Sequence, residues 1–84
     1  MAESERKKTM RNRIRECRLA LGMSQAELGN QVGLADNTIS NYENNLREPG
    51  LAMWEDLASA LHVSPAYLVG WSYEKGENNA YEYF

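Results

Sequence analysis

Asp36, Asn37, Ser40 and Asn41 recur at helical spacing near the middle of the chain and share one face. An amide side chain carries one carbonyl and one amino group. These match the N7 acceptor and the N6 amino group that adenine displays in the major groove of duplex DNA. Asn37 and Asn41 lie one turn apart, so each can meet a base edge, and Ser40 is short enough to adapt. Asp36, near the helix start, either caps the helix or accepts a hydrogen bond from a cytosine amino group, and both roles stay open. This is the chemistry of recognition, not of bond making. No serine, cysteine or carboxylate pair stands in a motif that supplies both a nucleophile and its base, so the chain does not read as an enzyme.

The same stretch must be a helix for that face to exist. Leu34, Ile39 and Tyr42 point away from the polar row and supply its inward face. Upstream, Ser24 and Glu27 form an S-x-x-E capping box, Leu28 and Val32 give a four-residue apolar repeat, and Gly33 suits the positive φ that ends a helix. Gly29 leaves room for the second helix to cross closely over the first. Residues 24–44 therefore spell a helix, a tight turn and a second helix, with residues 36–44 as the reading element.

Phosphate contacts are expected from the flanks. Ser24 and Gln25 open a helix whose free amides and dipole attract anions. Asn44 and Arg47 follow the reading helix and can clamp the backbone on the other side. Before the motif, Met10, Ile14, Cys17 and Leu21 give an apolar stripe from Thr9 to a stop at Gly22, with Arg11, Arg15 and Arg18 along its flank. After it, Asn44 to Pro49 is a loop, and Leu51, Trp54, Leu57, Ala58 and Leu61 mark a fourth helix. Ser64-Pro65 opens a short fifth helix to about Gly70, with Tyr67 and Leu68 inward. His62 stands where a left-handed residue ends the fourth.

Composition sets the bounds. Eighty-four residues allow one domain with a modest core and no separate catalytic lobe. No apolar run approaches the roughly 18 residues of a membrane span, and the charged amino terminus lacks the apolar stretch of a signal peptide, so a cytoplasmic location and no membrane partner are expected. The single cysteine and single histidine exclude an internal disulfide and offer no metal site; no cofactor is expected. Cys17, at helical spacing between Ile14 and Leu21, reads as a small buried hydrophobe. The net charge of −3 is unevenly spread. Residues 1–18 hold seven basic groups against three acids, a local +4, whereas residues 19–84 hold two against nine, a local −7. That asymmetry turns the amino-terminal side towards phosphates.

The motif resembles the phage repressor and Cro-like family of helix-turn-helix proteins, the xenobiotic-response-element type. Gln25, Leu28, the small residue at 29, Gly33, Thr38-Ile39-Ser40 and Tyr42-Glu43-Asn44 carry the resemblance, which extends through RIRECRLALGMSQ and REPGLAMWEDLASALHVSPAYLVG to cover roughly residues 11–70. Three departures stand out. Ala35 replaces the usual Ser or Thr cap, Gly29 replaces the usual Ala at a helix-propensity cost of about 1 kcal/mol, and Asn45 replaces a common Gly. The resemblance implies an all-α, compact five-helix repressor-type domain. It also implies that Arg18 pairs with Glu43, leaving part of the guanidinium to DNA while Arg11 and Arg15 are freer to meet phosphates.

Three segments follow: a flexible basic arm over 1–8, the DNA-binding domain over 9–70, and an aromatic tail over 71–84 that is either disordered or associated with a dimer. The leading functional reading is a prokaryotic or phage-encoded transcriptional repressor that binds a palindromic double-stranded operator as a homodimer. Tyr67, Trp71 and Tyr73 are candidates for the dimer surface, because aromatics there lack an obvious core partner. The competing reading is an antitoxin or adaptor module whose acidic surface and tail engage another protein, such as a toxin or an antirepressor. A third makes the chain the amino-terminal part of a longer repressor.

Overall fold

The computed structural model describes residues 12–75. The basic arm, Arg11 and the tail from residue 76 onward fall outside the described residues, as do Thr9 and Met10 of the expected first helix. Within them the chain forms α1 (Ile14–Ala20), α2 (Gln25–Val32), α3 (Asp36–Glu43), α4 (Leu51–Leu61) and α5 (Pro65–Val69), with no strand among the described residues.

Local chemistry explains where each helix begins and ends. Asn12 opens α1, its Oδ1 accepting from the Ile14 amide at 3.1 Å. The capping box of α2 is complete: Glu27 N–H donates to Ser24 Oγ at 3.0 Å, and Ser24 N–H donates to Glu27 Oε1 at 2.8 Å. Gly33 leaves α2 with φ +77, and the Leu34 amide then bonds the Gly29 carbonyl at 2.8 Å, closing a turn over residues 33–35. Helix α3 starts from Ala35 in extended backbone with no side-chain cap, so Asp36 does not replace the missing hydroxyl. Asn45 and His62 take positive φ, 60 and 64, and His62 ends α4. Ser64 Oγ caps α5 by accepting from the Tyr67 amide at 3.1 Å, with Pro65 at the first turn.

Each helix sends one large, fully buried side chain into the core, Ile14, Leu28, Ile39, Leu57 and Leu68, and α4 adds the small Ala58. Burial of such a side chain stabilises by about 1.5–3 kcal/mol, which makes this the main force holding α3 in place. Three apolar positions lie further out than periodicity implies. Val32 is only half-buried, while Leu21 and Leu51 are exposed. Leu21 is already past the last turn of α1, and Leu51 is the first residue of α4.

Gly29 is buried at the closest approach of α2 to the turn, and a β-carbon there would run into the Leu34 carbonyl oxygen. Relief requires the backbone to open, because the obstacle is main chain and not a movable side chain. Gly29→Val is therefore expected to destabilise by about 3 kcal/mol despite removing a helix glycine. Urea unfolding checks this; unchanged stability would mean that the turn opens freely.

Candidate nucleic-acid interface

Helix α3 divides sharply into two faces. Ile39 is fully buried and Tyr42 is 8% exposed, while Asp36 and Asn37 stand in solvent and Ser40 and Asn41 are half-buried beside them. The buried pair fixes the rotation of the helix, so the polar row can only face outward. The Asn41 carbonyl also accepts from the amides of Leu46 and Arg47, at 2.8 and 3.3 Å, which hangs the following loop on the end of α3. Asn44 turns back on the helix, Nδ2 donating to the Ser40 carbonyl at 3.0 Å. The same Nδ2 lies 3.4 Å from the Ser40 hydroxyl oxygen, so the amide is engaged by its own helix.

The first and third helices are joined through a desolvated pair. Arg18 Nε donates to Glu43 Oε2 at 2.6 Å and Nη2 to Oε1 at 3.2 Å, with side chains only 9% and 2% exposed. Nη1 donates to the Met23 carbonyl at 2.8 Å, tying in the loop before α2. Gln25 Nε2 adds a fourth bond, to Glu43 Oε1 at 3.1 Å. Two expectations for phosphate contact change accordingly. Arg18 spends the larger part of its guanidinium inside the protein and does not share a solvent flank with Arg15, and the Gln25 amino group is engaged by Glu43. The Ser24 hydroxyl oxygen serves its own helix. Arg15 and Arg47 are exposed and make no ion pair among the described residues.

Two functional supports were not expected. Asn12 Nδ2 donates to the Tyr42 carbonyl at 2.9 Å and to Asn45 Oδ1 at 3.1 Å, bracing the end of α3 from the start of α1. Asparagine is a helix-cap type, but Asn12 falls inside the helix expected from Thr9, and only the observed start of α1 at Ile14 makes it a terminus. Arg13 gave no signal. Its Nη1 donates to the carbonyls of Tyr67 and Ser72, at 2.7 and 2.6 Å, and its guanidinium lies 4.1 Å over the Tyr67 ring.

That clamp corrects the reading of Tyr67 as a dimer residue. It is 7% exposed, packed in the core under Arg13, with its hydroxyl donating to Glu16 at 3.3 Å. Trp71 and Tyr73 do face solvent, at 69% and 95% exposure. The segment carrying them is not a free tail up to residue 75: Arg13 holds Ser72, and the Ser64 amide holds the Lys75 carbonyl at 2.8 Å.

Burial, reinforced by the charge of Glu16, raises the Cys17 thiol above its ordinary 9.0 and the Tyr67 phenol above its ordinary 10.0. Both groups hold their protons more tightly folded than unfolded. Their contribution is complete below those values and is lost as pH rises through the folded ones. Stability is expected to fall from about pH 9 upward, and Tyr67→Phe should blunt that fall in thermal unfolding. Among the described residues no His, Cys, Asp and Glu cluster is placed to hold a metal, and no helix is long and apolar enough to cross a membrane.

A capped helix, a three-residue turn and a second helix with one face in the core and one row of amides outside define a helix-turn-helix protein of the repressor type. The helix-turn-helix family model matches residues 14–68, and the chain belongs to that family. It is 33% identical over 58 residues to the HTH-type transcriptional regulator ImmR of Bacillus subtilis (strain 168), covering 69% of this chain and 46% of that relative, so it spans about half the relative's length. The P22 c2 repressor, solved in complex with synthetic operator 9T in the presence of Tl+, superposes with a TM-score of 0.69 at 38% identity, covering 75% of this chain and 96% of that one.

Proposed function

We propose that this chain is a DNA-binding transcriptional regulator, a repressor that recognises a palindromic operator as a homodimer. The observation that carries the reading is the solvent-facing amide row of α3, locked in orientation by Ile39 and Tyr42. Asn37 and Asn41 read adenine edges, with Ser40 and Asp36 beside them. Arg15 and Arg47 hold phosphates from either side with Asn44 beside them, Arg11 is a further candidate phosphate contact, and Ser24 and Gln25, already bonded within the protein, serve by holding the start of α2 in place. Arg18 acts mainly by fixing α1 against α3. Operator binding by the P22 c2 repressor supports the assignment of the partner.

A dimer suits this reading, because a two-fold operator presents successive major grooves about 34 Å apart and two reading helices would meet them. Among the described residues, Trp71 and Tyr73 are the exposed aromatics available for that contact. Selection of bound sequences from random duplex DNA tests the proposal. A two-fold symmetric motif with adenines in each half-site is expected. Recovery of no enriched motif would reject it and favour a module that engages a toxin or antirepressor.

A further inference from the structure

The start of α1 and the exit of α3 meet through two asparagines. Asn12 Oδ1 accepts from the Ile14 amide at 3.1 Å, which ties the side chain to its own turn. Its Nδ2 donates to the Tyr42 carbonyl at 2.9 Å and to Asn45 Oδ1 at 3.1 Å. The Ile14 amide and the Tyr42 carbonyl together fix which way that amide group points, so Asn45 must present its oxygen. Asn45 itself stands at φ 60, a left-handed conformation that glycine adopts at less cost. Backbone conformation alone therefore does not require asparagine here, whereas the bond from Asn12 does. Two residues further on is Arg47, exposed and without an ion pair among the described residues. The amides of Leu46 and Arg47 both bond the Asn41 carbonyl, so the loop turns tightly and Arg47 lines one pocket with Asn12 and Asn45.

The geometry points to Asn12 as a positioning residue for Arg47, given the phosphate contact proposed for that arginine. Through Asn45 it holds the loop after α3 so that the guanidinium is already presented to the DNA backbone. An arginine on a loose loop must lose backbone as well as side-chain freedom on binding, and the brace removes the first of these losses beforehand. Asn12 touches no phosphate in this scheme and acts only through the loop. Its effect is therefore the same for every base sequence, and it vanishes once Arg47 is gone.

Two variants open the brace from opposite ends. Asn12→Ser keeps an oxygen for the Ile14 amide but is too short to reach Tyr42 and Asn45. Asn45→Gly keeps the left-handed turn and removes the acceptor. Each is titrated with a random-sequence duplex across a salt series, in the wild-type and the Arg47→Ala background. Each single variant is expected to weaken binding about fivefold and to add no further loss to Arg47→Ala. The salt slope should flatten by about one unit, a change that a loss of stability alone would not produce. Amide hydrogen exchange tests the brace without DNA: the Leu46 and Arg47 amides should exchange about fivefold faster relative to that of Leu28 in both variants. Unchanged exchange beside intact wild-type binding would overturn the brace alone. Faster exchange in the variants beside a wild type that binds no duplex would overturn the phosphate reading of Arg47 and the positioning role with it. A full loss that persists in the Arg47→Ala background, or an unchanged salt slope, would show that Asn12 does not act through Arg47.

Discussion

Glu43→Ala is expected to destabilise the domain by about 3–5 kcal/mol, because it strips the partner from a buried cation. The side chain of Arg18 is 9% exposed, and after the substitution its guanidinium keeps only the Met23 carbonyl bond among those it makes to the protein. Gln25 loses its acceptor at the same time. The large loss measures an uncompensated charge, not the net worth of the pair. Replacing both partners by apolar residues of similar volume, Arg18→Met with Glu43→Leu, should restore most of the stability, since two desolvated charges are removed together. Urea unfolding of the two single variants and the double variant closes the cycle. A Glu43→Ala loss below about 1 kcal/mol would mean that the pair behaves as a solvated surface contact.

Much of this fold was legible because its determinants are local. The Ser24–Glu27 box, Gly33, His62 and Ser64-Pro65 each act within a few residues, and each sets a helix end where the sequence puts it. Periodicity also gave the rotation of α3, with Ile39 inward. It could not give the depth of the core. Val32 has the correct face but lies near the core's margin, and Leu51 is exposed at the first residue of α4, because an apolar period reports direction and not the extent of what packs there. Arg13 was illegible for a different reason. Its partners, Tyr67 and Ser72, lie 54 and 59 residues away, and two are backbone carbonyls that any sequence would provide. Tyr67 packs inward as its place on the fifth helix implied, and its candidacy for the dimer surface failed through the same gap, since the ring's cover comes from Arg13, just before α1.

The amide row and the two free arginines have different consequences when truncated. Asn37→Ala or Asn41→Ala should cost roughly 1–3 kcal/mol on the preferred operator and almost nothing on random DNA. An amide distinguishes bases only at hydrogen-bond range and against the correct edge, so its loss removes discrimination before it removes general affinity. Neither substitution should disturb the fold. Asn37 stands in solvent, and the loop after α3 hangs on the main-chain carbonyl of Asn41, which alanine retains. Arg15→Ala or Arg47→Ala should instead weaken binding to both kinds of duplex and flatten the salt dependence by about one unit for each phosphate released. A guanidinium on the backbone meets the same phosphate whatever the sequence. Titrations on operator and scrambled duplexes across a salt series separate the two behaviours. Equal losses on both duplexes for the asparagine variants would mean that α3 lies against DNA without reading it, and the recognition role would pass to other residues.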